Sequence, residues 1–177
     1  MKHVFTLLLA CIAFVNQSFA QDVVIKLVDA QGNQIMGELA GPGRNGYLAI
    51  TSIGQENINC TDITGAMCSA KPGHFIFNTL DNKAMNGLRK ALFTSEHLSL
   101  VEITFRRSGG TQEEYLRIRM ENVLVKNLRD AYTDSMLNVV THQVELQAGK
   151  IGWYHSAMGS VINKFGWNYI QNVEWPL

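Results

Sequence analysis

From Leu98 onward apolar and polar side chains alternate: Val101, Ile103 and Phe105 fall on one side of an extended chain, and Glu102, Thr104 and Arg106 on the other. A period of two is that of a half-buried strand. Ser108-Gly109-Gly110-Thr111 offers backbone positions open to positive φ, and the alternation resumes over Tyr115–Val125, with Leu116, Ile118 and Met120 set against Tyr115, Arg117 and Arg119. These two runs predict a long β-hairpin. After a variable loop expected at Arg129–Ser135, Leu137–Ala148 alternates again, Val140, Val144 and Leu146 opposing Thr141, Gln143, Glu145 and Gln147, and Ile151–His155 reads as a further strand. Upstream, Asp22–Asp29, Tyr47–Glu56 and His74–Leu80 are strand-like, separated by turn residues at Ala30–Asn33 and by a loop at Gly41–Gly46. Asn57–Gly73 is polar and reads as a surface excursion. One segment carries the helical period: in Asn82–Ser95, Met85, Leu88 and Leu92 with Ala84 and Ala91 recur at three- and four-residue steps, with Asp81 as the expected cap. The final stretch, Met158–Leu177, holds Phe165, Trp167, Tyr169 and Trp175, enough aromatic area to dock on the body. One helix among about eight strands implies a mainly β protein, a closed or nearly closed barrel with one short flanking helix.

Composition narrows the class. The 177 residues are 46% hydrophobic and 17% charged, which excludes a disordered chain. The longest apolar run, Val4–Val15, falls short of the roughly 20 residues a membrane-spanning helix needs. With Lys2 and His3 before it and Ser18-Phe19-Ala20 after it, that run reads as a secretory signal over residues 1–20, cleaved after Ala20. The product is expected in the periplasm or medium, with no stable membrane insertion and a single domain over residues 21–177. Leu9-Ala10-Cys11 leaves no room for an apolar centre before the cysteine, so a lipid anchor is not expected. Removing the leader takes one lysine and no acid from a chain with 15 basic and 15 acidic side chains, leaving a formal charge of −1. Such a balance favours no polyanion, and nucleic acid is not an expected partner.

Candidate chemistry is sparse. In an oxidising compartment Cys60 and Cys68, with seven residues between them, are preferred as a disulfide, with two free thiols or a metal site shared with His74 as the alternatives. The metal reading lacks a fourth ligand and a zinc-like spacing. Gly41-Pro42-Gly43-Arg44-Asn45-Gly46 spells G-x-G-x-x-G, but a strand follows where a phosphate-binding helix must start. His155-Ser156 lacks a nucleophile elbow. Glu113 and Glu114, adjacent on a strand, point to opposite faces and cannot flank one bond. His142 lies on the apolar register between Val140 and Val144 and reads as a hydrogen-bonded core histidine. Arg106, Arg107, Arg117 and Arg119 sit among acids, and cross-strand or inter-subunit ion pairs are their expected use. No catalytic residue, metal or cofactor is expected.

The hairpin also carries a resemblance. Leu98-Ser99-Leu100-Val101-Glu102-Ile103-Thr104-Phe105-Arg106-Arg107-Ser108-Gly109-Gly110, followed by Glu114-Tyr115-Leu116-Arg117-Ile118-Arg119-Met120-Glu121-Asn122-Val123-Leu124-Val125, resembles the central hairpin of the haemolysin-coregulated protein (Hcp) family, the tube protein of type VI secretion. A preceding short helix and the later Lys150-Ile151-Gly152-Trp153-Tyr154 keep the family's order, and the resemblance spans roughly Asp22–His155. It implies a β-barrel related to phage tail-tube proteins, hexameric rings that stack into a tube, small cargo in the lumen, and contacts with other type VI secretion components or secreted effectors. Stacked rings need heterologous contacts. The candidates are Gly43 and Arg44 in the early loop and Arg106, Arg107, Gly109, Gly110, Tyr115, Arg117 and Arg119 in the hairpin. The leader, the cysteine-bearing segment and the lack of a tryptophan in Tyr47–Glu56 depart from the family pattern. The alternative is a monomeric exported barrel that binds a small ligand or a partner protein.

Overall fold

The computed structural model describes residues 22–41, 43–56, 70–107, 113–132 and 140–177. Among the described residues ten strands, β1 (Asp22–Val28), β2 (Gln34–Ile35), β3 (Leu48–Ala49), β4 (Ser52–Gln55), β5 (His74–Leu80), β6 (Leu98–Arg106), β7 (Glu114–Tyr132), β8 (Val140–Ala157), β9 (Ser160–Asn168) and β10 (Val173–Glu174), accompany one helix, α1 (Ala84–Thr94). Every pairing is antiparallel, and β1, β6, β7 and β8 are consecutive neighbours. The first half of β8 pairs with β5 and its second half with β9. The gap between β1 and β5 is spanned by one short segment, whose β3 end pairs with β1 and whose β4 end pairs with β5. The barrel is therefore nearly closed, its ladder interrupted where Ile50 and Thr51 step from one edge to the other. The Tyr47–Glu56 stretch, expected as one strand, is split for that reason.

Inside lie Ile25, Leu27, Phe75, Phe77, Ile103, Met120, Val144 and Leu146, all at most 2% exposed, with the apolar face of α1 (Ala84, Met85, Leu88, Ala91) in the same cluster. The helix comes close to its surroundings: a Cβ at Gly87 would stand 2.6 Å from Ile35. Its cap differs from expectation. Asn82 Oδ1 accepts the Ala84 N–H at 2.9 Å, because the Asp81 carboxylate is taken by His142. The helix ends at Ser95 in the left-handed region, with the Glu96 N–H bonded to the Ala91 carbonyl, a reversal that satisfies a free carbonyl of the last turn.

Two further boundaries are corrected. β7 continues through Tyr132 instead of ending before a loop at Arg129, and the described part of the expected Leu137–Ala148 strand, from Val140 on, forms one strand, β8, with Ile151–His155. The apparent break at Gly149-Lys150 is a corner. On three aligned strands the buried register changes parity at the same level: Leu98 to Val101 on β6, Met120 to Val123 on β7, and Ala148 to Ile151 on β8. Asn122 absorbs the change on β7 with φ of 54°, and a Cβ on Gly149 would stand 3.0 Å from its amide nitrogen. A sheet that turns its buried side over in this way bends sharply across the line of those residues, as barrel corners do.

Candidate functional site

The corner divides β8 into halves with different outer surfaces. Before it, the outward residues Thr141, Gln143, Glu145 and Gln147 lie opposite Leu80, Asn78, Ile76 and His74 of β5. The β8 side of this face is polar and almost uncharged, while β5 adds the exposed Ile76 and Leu80. His74 Nδ1 meets the Glu145 carboxylate, and Asn78 donates to Ser52 Oγ at 2.7 Å. Under the same half, His142 is 1% exposed and bridges two carboxylates, Nδ1 to Asp130 at 2.7 Å and Nε2 to Asp81 at 2.9 Å, while Arg89 of α1 reaches Asp130 at 3.2 Å. The His142 hydrogen bond, helped by Arg89, holds the Asp130 carboxyl below its ordinary value. The core-histidine reading of the sequence thus holds, and its partners tie together β7, β8, α1 and the turn before it.

After the corner, β8 and β9 form an arm. Trp153 stacks on Phe165 with centroids 5.9 Å apart, and Trp153 Nε1 donates to Gln55 of β4 at 3.4 Å. Gly152 and Gly166 face each other across the two strands, and a Cβ on either would press into Leu177. The chain from Val173 onward lies along β9 as a strap: Trp175 N–H donates to the Gly166 carbonyl at 2.9 Å, Lys164 donates to the Leu177 carbonyl, and Lys150 stands 5.4 Å over the Trp175 ring. Beyond the strap, β9 is exposed on both faces from Ser160 to Phe165, and Met158 at the tip is 92% exposed.

The residues singled out from sequence are not gathered into one place. Cys60, Cys68, Gly109 and Gly110 lie outside the described residues. Gly43 stands in the early turn at φ of 70°, and Arg44 is paired with Asp22 at 2.7 Å. Arg117 grips Glu114 with two hydrogen bonds of 2.9 and 3.0 Å, which push its guanidinium above its ordinary value, and Arg119 meets Glu121 at 2.8 Å. These pairs run along β7 instead of across strands. Tyr115 packs its ring 6.2 Å from Phe105. Arg106 lies opposite Asp22 and Glu114 in the ladder, and the Arg107 N–H donates to the Glu113 carbonyl. The sequence does not reveal the exposed apolar arm, because its aromatic tail reads as a docking segment.

Among the described residues no three His, Cys, Asp or Glu side chains cluster as a metal site, and no helix is long and apolar enough to cross a membrane. The described residues form a barrel with a packed interior, a polar outer face on the first half of β8 and an apolar arm beyond its corner, an arrangement that presents surfaces for contact. The chain belongs to the family described as "Type VI secretion system effector, Hcp", which it matches over residues 22–155, the span over which the sequence shows its resemblance. It is accordingly a tube-type structural subunit of type VI secretion, a secreted class of protein. Among solved structures it is similar to Hcp1 from Salmonella typhimurium, at 19% identity and a TM-score of 0.71, covering 88% of this chain and 99% of that one. Hcp1 from E. coli EAEC 042 gives 23% identity and a TM-score of 0.64 over 81% and 96% of the two chains. The secreted protein Hcp3 from Pseudomonas aeruginosa gives 20% and 0.63 over 82% and 97%. At these identities the likeness establishes the fold. No curated protein matches the sequence.

Proposed function

We propose that the mature chain, released by cleavage after Ala20, assembles into six-membered rings that stack as a tube, takes small cargo against its polar face, and performs no catalysis. The observation that carries this reading is the division of β8. Its first half presents Thr141, Gln143, Glu145 and Gln147 to solvent beside Asn78 of β5, a surface suited to lining a hydrated channel. Family membership over residues 22–155 supports the tube. The other type VI secretion components or secreted effectors are its remaining partners. Charge gives no reason to add nucleic acid.

The test is the mass of the purified mature protein in solution by sedimentation equilibrium. A six-fold assembly is the expected result, and a monomer at high concentration refutes the ring.

A further inference from the structure

We propose that the β8–β9 arm of one copy seats in an acid-rimmed hollow of a second copy. This contact rests on the ring reading and specifies which surfaces meet. The arm offers an apolar end: Met158 is 92% exposed, Ile162 68% and Val161 55%, with Lys164 beside them. Apolar side chains gathered at the tip of a hairpin leave water only by meeting another surface.

The matching surface lies at the other end of the same strand. A hollow of about 270 Å³ is lined by Leu39, Leu48, Ile50 and Leu80, with Glu38 and Asp81 also on its wall. Leu80 is half exposed, and it pairs with Thr141, at the start of β8, whereas the tip of the arm follows the Ala157–Ser160 pair at its end. With 18 residues in all, β8 has a contour of roughly 60 Å. Within one chain both surfaces stay open. Their chemistry is complementary: apolar knob to apolar floor, lysine to the exposed Glu38 carboxylate, with Asp81, already bonded to His142, adding to the negative charge beside it. Lys164 donates to the Leu177 carbonyl and keeps two further N–H donors for a neighbour. Two different surfaces on one chain that fit each other make a heterologous contact, the kind that closes a ring or extends a filament. The occupant of the hollow is therefore a second copy of this chain.

Sedimentation of the mature protein and two variants tests the contact. Ile162→Glu is expected to raise the concentration needed for assembly by about tenfold or more, since it places a charge at the centre of the apolar end. Lys164→Glu is expected to weaken assembly as well, and Glu38→Lys added to it in the same chain to restore much of the loss, because the pair is then reversed across the contact. Normal assembly of Ile162→Glu, or a double variant no better than Lys164→Glu alone, overturns this contact and leaves the ring standing. A wild-type protein that stays monomeric overturns both.

Discussion

The two halves of β8 are continuous in one strand and have different surroundings. Before the corner the strand is flanked by β5 and β7, its inner side chains are sealed, and its outer face is polar. After the corner the strand is flanked by β7 and β9, and β9 is exposed on both faces until the strap at Val173–Leu177 covers its far end. The first half holds the subunit together, and the second is available to hold subunits to one another. Burial on one face stabilises a fold, whereas apolar area left on a free hairpin stabilises only a complex.

Truncating one phenylalanine in each half gives the sharpest contrast. Phe77, 1% exposed on β5, is expected to cost about 3–5 kcal/mol on replacement by alanine, as a filled core position does. Phe165, 49% exposed on β9, loses its stack on Trp153, worth about 0.5–1.5 kcal/mol, and the burial of half a side chain, and is expected to cost less than Phe77. Denaturant unfolding of Phe77→Ala and Phe165→Ala measures both. Equal losses would break the division of labour between the halves.

What the sequence reveals follows the same line. The body strands are legible because one face is buried: His74–Leu80 is found with its bounds as observed, and Val101, Ile103, Ile118 and Met120 fall on the buried side where alternation puts them. At the corner the alternation is correct on both sides but reverses phase, so Gly149-Lys150 looks like an end of strand. The arm is illegible for a physical reason: residues exposed on both faces carry no period of two, and Val161, Ile162, Asn163, Lys164 and Phe165 show none. Gly152 and Gly166 are the one available clue, since an isolated glycine within a strand marks close approach. The arginines show how local side-chain partners can be where the sequence suggests cross-strand or inter-subunit pairs. Glu114 and Glu121, on β7 itself, take Arg117 and Arg119 before any neighbouring subunit is present.

The glycine pair gives a second, smaller test of the arm. A Cβ at Gly166 would stand 2.6 Å from the Trp175 carbonyl and 3.0 Å from Leu177, so Gly166→Val must displace the strap. Overfilling of this kind costs about 1–3 kcal/mol, and here the loss is expected to be local. Limited proteolysis should then cut near Trp175 while the barrel survives. A variant that resists cleavage as wild type does would show that the strap is not seated on the glycines.

The smallest effect belongs to the body and appears in acid. The Asp130 carboxyl is held below its ordinary value by His142 and Arg89, so the folded state favours its charged form. A carboxyl with a depressed folded-state pKa stabilises fully above its unfolded value, about 3.9, and the contribution is lost as pH falls through the lower, folded-state value. Unfolding of wild type followed from neutral pH downward should therefore lose stability below about pH 4. Asp130→Asn, which cannot titrate, is expected to start less stable at neutral pH and to lose less on acidification, while keeping the arm's exposed residues unchanged. Because His142 draws on Asp130 and Asp81 together, this variant also reads how much of the tie between α1 and the barrel runs through one histidine. An acid profile parallel to wild type would mean that the His142–Asp130 contact contributes nothing to the folded body, and that the first half of β8 is held by its apolar side alone.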